Sequence, residues 1–276
     1  MAAKIPPLGI LQGRLTLSTD GSIQFFPKDN WQNEFAAAKK IGFDCMELLV
    51  KRDSGKENPF LSFDGIEAIA QLVQNSGIKV FSVHGFYENS QKYQATLIRI
   101  INSSSLIGAR TVLISFFDRN ALKTKVKKKL ARLALLPILP YCKATDIRLG
   151  IEAEISASEL LEFVRSFNHP NVGIYYDIGN MASMGVDVIK EISLLGGFIC
   201  GVHVKDREAN GGKTVPLGEG CADLEGAFRA LCQADYDGPF IIQGARSATA
   251  DDIALNQRYF EFCKDLLLKT YGGSHG

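Results

Sequence analysis

Histidine is scarce in this chain, four in 276 residues, so a centre built from many imidazoles is excluded from the start. The six cysteines, Cys45, Cys142, Cys200, Cys221, Cys232 and Cys263, never form a C-x-x-C pair. Neither a zinc knuckle nor a thioredoxin-like motif is therefore present, and the thiols read as reduced core residues of a cytoplasmic protein. Met1 to Pro7 holds one lysine and no apolar h-region, so no signal peptide is expected. The longest apolar run, Leu133 to Leu139, is interrupted by Pro137 and falls far short of the roughly 20 residues of a membrane span, so no membrane partner is expected. Neither G-x-G-x-x-G nor G-x-x-x-x-G-K-[ST] occurs, which removes the two commonest glycine-rich phosphate cradles. Charge of one sign is also missing: 31 Lys plus Arg meet 30 Asp plus Glu, and the average field attracts no polyanion.

What is present is an ordinary globular composition, 46% hydrophobic and 22% charged, with no linker-like stretch dividing it. Short β-rich runs recur at Leu8–Leu11, Cys45–Val50, Ile78–Val83, Thr111–Phe116, Ile147–Glu152, Val172–Asp177, Ile199–Val204 and Pro239–Gln243. Helix-compatible stretches lie between them: Trp31–Ile41, Gly65–Ser76, Tyr93–Ile107, Val126–Cys142, Ala157–Phe167, Val186–Leu195, Leu224–Ala234 and Asp251–Lys269. The strands start roughly 25 to 40 residues apart, the spacing of a βα unit. Eight such units predict a single-domain (β/α)8 TIM barrel over residues 1–271, with 272–276 as a flexible tail that includes His275.

In such a barrel the reactive groups belong at the carboxyl ends of the strands. Polar residues do cluster there: Arg14, Glu47, His84, Glu152 with Glu154, Asp177 with Asn180, His203 with Lys205 and Asp206, and Gln243 with Arg246. Glu152 ends the apolar run Leu149-Gly150-Ile151, where a carboxylate is costly unless paired. Asp177 repeats the anomaly on the next strand. Adjacent buried carboxylates repel, and a divalent cation between them is the simplest relief. His203 adds a nitrogen ligand on the strand after that, and Gln243 is available from the last. This set suits one Mn²⁺, Mg²⁺, Co²⁺ or Zn²⁺ ion. The structural alternative is a salt bridge from Glu152 to Lys205.

The opening Gly9-Ile10-Leu11-Gln12-Gly13-Arg14-Leu15, with Tyr176-Asp177-Ile178-Gly179-Asn180, His203-Val204-Lys205-Asp206 and Val215-Pro216-Leu217-Gly218-Glu219-Gly220, resembles the xylose isomerase-like TIM barrel family of sugar and sugar-phosphate isomerases and epimerases. Within it the likeness is to the hexulose-6-phosphate isomerases related to L-ribulose-5-phosphate 3-epimerase. The resemblance implies a divalent metal held by Glu, Asp, His and a second Glu at the ends of strands five to eight. Glu152, Asp177 and His203 inherit three of those places, and Gln243 stands where the second glutamate is expected. In the epimerases resembled, the two glutamates are acid and base on opposite faces of one carbon. Glutamine can coordinate through its amide oxygen but cannot usefully exchange a proton.

The catalytic positions are thus Glu152 and Gln243. One base supports aldose/ketose isomerisation through an enediol more readily than epimerisation. The expected substrate is a small sugar or sugar phosphate, contacted by Arg14, Glu47, His84, Asn180, Lys205, Arg207, Glu219 and Arg246. Glu47 could instead pair with Arg14, His84 could order its own loop, and Glu219 could anchor the loop through Lys205. Phe86, Tyr87 and Trp31 form an apolar wall or simply pack. Other readings are a sugar 3-epimerase, a non-catalytic sugar-binding barrel and an endonuclease IV-like repair enzyme. For the last, Lys123, Lys125, Lys127, Lys128, Lys129 and Arg132 place six cations in ten residues. A trinuclear zinc site needs more histidines, so the lysines read as a solvated helix face and no nucleic acid is expected. A homodimer fits the exposed helices of such barrels.

Overall fold

A computed structural model describes residues 5–50, 57–88 and 90–272. The expected tail lies, but for Gly272, outside the described residues, as do residues 1–4 of the opening segment. Eight parallel strands close a barrel: β1 (Leu8–Leu11), β2 (Cys45–Leu49), β3 (Lys79–Phe86), β4 (Thr111–Phe116), β5 (Arg148–Ala153), β6 (Val172–Asp177), β7 (Ile199–Val204) and β10 (Phe240–Ile242). β10 pairs with β7 on one side and β1 on the other, which makes the seam between the chain's two ends. A two-stranded antiparallel ribbon, β8 (Asp206–Arg207) with β9 (Thr214–Val215), rises after β7.

The helices around the barrel are α1 (Asn33–Ile41), α2 (Phe63–Ser76), α3 (Gln91–Leu106), α4 (Lys125–Leu135), α5 (Leu139–Thr145), α6 (Ala157–Arg165), α7 (Ile178–Ser183), α8 (Val188–Leu195), α9 (Leu224–Gln233) and α10 (Asp252–Tyr271). Most open on a side-chain cap accepting a backbone N–H: Ser62, Ser90, Thr124, Ser156, Asp177, Asp187, Asp223 and Asp251. Each such cap is worth about 1 kcal/mol. The predicted helix Val126–Cys142 breaks into α4, a 3-10 turn over Leu136–Ile138, and α5. Pro137 and Pro140 lack the N–H an uninterrupted helix needs, and each falls in the first turn of a new segment. The short α7 and the ribbon were not anticipated.

Most of the core lies between strands and helices. A second cluster, Leu11, Cys45, Leu49 and Ile241, sits apart, with Phe26 and Phe81 against it. Cys45 and Leu49 alternate with Glu47 along β2, so all three share its inward face. Tyr175 also fills the interior. Its register partner on β7 is Gly201, where a Cβ would stand 2.2 Å from the Tyr175 ring. Any side chain there would displace the phenol. All six cysteines are free, and burial pushes the Cys142 thiol up to about 12 and Cys200 up to about 11. Among the described residues no helix is long and apolar enough to cross a membrane.

Candidate metal centre

Three successive strands bring Glu152, Asp177 and His203 together. All three are buried, with one ligand atom from each within 4.8 Å of the others. His203 Nδ1 lies 3.7 Å from Glu152 Oε1 and 3.7 Å from Asp177 Oδ2. Asp177 ends β6 and caps α7, its Oδ1 accepting the Asn180 N–H at 2.8 Å, which leaves Oδ2 facing the cluster. Gln243 directly follows β10, beside β7, and its N–H donates to Val204 O at 2.9 Å.

Four buried atoms on these residues have no hydrogen-bond partner: Glu152 Oε2, Asp177 Oδ2, His203 Nδ1 and Gln243 Oε1. Leaving one buried polar atom unpaired costs about 1–3 kcal/mol; Lys205 meets Asp177 Oδ2 as an ion pair, and the other three, at neighbouring strand ends, need a common explanation. Oxygens from two carboxylates and an amide, with one imidazole nitrogen, make the donor set of a divalent cation, so these residues fit such an ion. Lys205 Nζ lies 2.9 Å from Asp177 Oδ2, as an ion pair off the hydrogen-bonding direction, and 3.4 Å from Asn180 Oδ1. The lysine thus pairs with Asp177, and the anticipated Glu152–Lys205 bridge is not among the ion pairs of the described residues.

Beneath the cluster lies a layer in which two expected site residues, Glu47 and His84, meet two that sequence reasoning left out, Ser82 and Tyr175. Glu47 is fully buried, accepts hydrogen bonds from three side chains and has a fourth, His84, at ion-pair distance. His203 Nε2 approaches its Oε1 at 2.8 Å, and His84 Nδ1 stands 3.5 Å from the same oxygen. The hydroxyls of Ser82 and Tyr175 each donate to Oε2 at 2.6 Å. Burial alone would raise the Glu47 carboxyl, but His203 and His84 hold it well below the usual carboxylate range. Burial likewise disfavours a charged His203, yet Glu47 and Glu152 push its ring up to about 10. Tyr175 and Ser82 could have been found from alternation: each lies two residues before a noted site residue, Asp177 and His84, and so shares its face.

The anticipated substrate contacts fall in different places. Glu47 is turned to His203, not to Arg14, whose buried guanidinium bonds Ile23 O and faces Gln24 Oε1 at 3.5 Å. Arg246 is likewise spent inside the protein, donating to Gly13 O, Thr16 O, Ser22 O and Asp252 Oδ2. Arg207 donates to Asn180 Oδ1, Gly211 O and Gly212 O, and lies 3.5 Å from Glu154. His84 reaches Ser115 Oγ at 3.5 Å. Glu219 is exposed at a loop tip; the loop's anchor is instead Asp206, which accepts from the backbone N–H of Arg207, Gly218, Gly220 and Ala222. At Gly220 a Cβ would fall 2.1 Å from the Asp206 carboxylate, so only glycine fits that approach. Trp31 and Tyr87 belong to the core, in ring contact with Phe35 and Phe116, and Phe86 packs on Tyr93. A cavity of about 830 Å³ lies to one side, bounded by residues 15–37, Glu57 and Ile253, and shares no residue with the cluster.

The sequence pattern of the xylose isomerase-like TIM barrel family matches residues 35–261. L-ribulose-5-phosphate 3-epimerase UlaE of Escherichia coli K12 is 27% identical over 273 residues, covering 92% of each chain. Among solved structures, D-allulose 3-epimerase from a Methylomonas species superposes with a TM-score of 0.75 at 18% identity, covering 96% of this chain and 100% of that one. The IolI protein with its zinc atom superposes at 0.74 and 16% identity, covering 96% and 99%. This chain belongs to the xylose isomerase-like TIM barrel family.

Proposed function

We propose that the chain is a divalent-metal-dependent isomerase of a sugar or sugar phosphate, interconverting aldose and ketose through an enediol. The observation that carries this reading is an asymmetry at the strand ends. Glu152 offers a carboxylate oxygen with no hydrogen-bond partner, while Gln243, just past the end of β10 on the other side of β7 in the strand order, has an acceptor but no exchangeable acid. A cation held by Glu152, Asp177, His203 and Gln243 would supply Lewis-acid polarisation of the substrate's carbonyl and hydroxyl oxygens. Glu152 takes the proton from the carbon beside the carbonyl and returns it to the neighbouring carbon on the same face, work that one base can do, while the hydroxyl proton passes between the two adjacent oxygens of the enediol. Lys205 balances the charge of Asp177.

A second reading, 3-epimerisation of a ketose, is favoured by the names of the relatives, the ribulose-phosphate and allulose epimerases. It needs a second acid on the opposite face of the reacting carbon. Turnover of pentuloses and hexuloses, with and without phosphate, in deuterium oxide with Mn²⁺ or Co²⁺ separates the two. Isomerisation places deuterium at C1 or C2, and epimerisation at C3. The variant Glu152→Gln is expected to lose about 10²–10⁴-fold in rate. Unchanged turnover with the metal retained would reject Glu152 as the base.

A further inference from the structure

We propose that Glu47 is the positioning residue that aims His203 at the metal centre, and that Tyr175 and Ser82 hold Glu47 out of the coordination sphere. The inference rests on the metal reading above and concerns residues that touch neither substrate nor ion.

His203 has two ring nitrogens, and the two look in opposite directions. Nε2 meets Glu47 Oε1 at 2.8 Å, while Nδ1 faces Glu152 and Asp177 without a hydrogen-bond partner. A carboxylate accepts only, so contact with Glu47 requires the proton on Nε2 and reserves Nδ1 as the ligand atom. The same contact fixes the plane of the ring, which Tyr175 flanks at 4.6 Å between centroids.

Glu47 could in principle become a ligand itself, since Glu47, His84 and His203 also offer donor atoms within 4.8 Å of one another. Its second oxygen argues against that. Oε2 receives two hydroxyl protons at 2.6 Å, from β3 and β6, and swinging the carboxylate toward an ion would break both bonds in a fully buried place. Glu47 is thereby fastened to the neighbouring β3 and, across the barrel, to β6, and His203 is the group it serves.

The test is calorimetric titration with Mn²⁺ and Zn²⁺, combined with ¹⁵N spectra of histidine-labelled, Zn²⁺-loaded protein. The wild type is expected to bind one ion per chain, with His203 metallated at Nδ1 and protonated at Nε2. Glu47→Gln keeps the shape but removes the charge, and is expected to weaken binding about 10- to 100-fold while still binding one ion. Tyr175→Phe, which keeps the ring and the fold, is expected to weaken it by several-fold. Unchanged affinity in both variants overturns the assignment, as does metallation at Nε2. A wild type that binds two ions and loses one in Glu47→Gln also overturns it, since Glu47 would then be a ligand. A wild type that binds no divalent ion sinks the metal reading itself, a result separate from all of these.

Discussion

The phenol of Tyr175 on β6 donates to Glu47 Oε2 on β2 at 2.6 Å, joining two strands that stand opposite each other in the closed barrel. The ring reaches across because Gly201 leaves it room. Gly201→Ala is therefore expected to destabilise the fold by about 1–3 kcal/mol or more, through overpacking against a ring fixed at its far end. Urea unfolding measures it. A neutral effect would mean that the ring moves freely inside the barrel.

Restoring the absent carboxylate is the most direct probe of the reaction. Gln243→Glu raises the ligand charge and supplies a second proton-transfer group. Tighter Mn²⁺ binding, by about tenfold, and deuterium appearing at C3 of a ketose are the expected results. If neither changes, Gln243 takes no part in the centre.

Asp206 is the clamp of the segment that follows β7. Asp206→Ala leaves four backbone N–H groups without their acceptor, at a cost of at least about 2 kcal/mol overall even where water replaces some bonds. Hydrogen exchange at Gly218, Gly220 and Ala222 is expected to accelerate together. Exchange that rises at one site alone would show that the four contacts are not held as a unit.

Glu34 sets a pH dependence. It is buried and accepts from Gly13 N at 2.6 Å and Leu15 N at 3.0 Å, and burial pushes its carboxyl up to about 7 despite those bonds. Its folded pKa exceeds the unfolded value, so the folded state binds the proton more tightly. This contribution is fully present below about 4.5 and is lost as pH rises through about 7. Unfolding free energies from pH 4 to 8 should decline over that window, and Glu34→Gln should flatten the decline while losing one backbone contact. An unaltered slope in the variant would place the titration elsewhere.

Much of the site can be read from strand ends because period-two alternation puts Glu152, Asp177 and His203 on inward faces next to one another. The same rule reaches Tyr175 and Ser82, which look like core filling until the strands are closed and their hydroxyls are seen to converge on Glu47. Arg246 shows the opposite limit. From the sequence it is a free cation at a strand end, but its acceptors are carbonyls of Gly13, Thr16 and Ser22, more than 220 residues away, and no local pattern announces a backbone oxygen. The length of α4 was overread because the apolar periodicity continues past Pro137 while the hydrogen-bond ladder cannot.

The bonds of Arg246 bear on the order of assembly. β1 and β10 meet over only three register pairs, and that short seam is bolted by Arg246 and by Asn256, which donates to Arg14 O. Contacts of such sequence separation carry a large loop-closure entropy, so the seam is the last part of the barrel to gain from forming. Until it closes, β1 and β10 are exposed edges with unpaired backbone groups, ready to join another chain. By holding this seam shut, Arg246 keeps both edges paired with each other and out of reach of another chain.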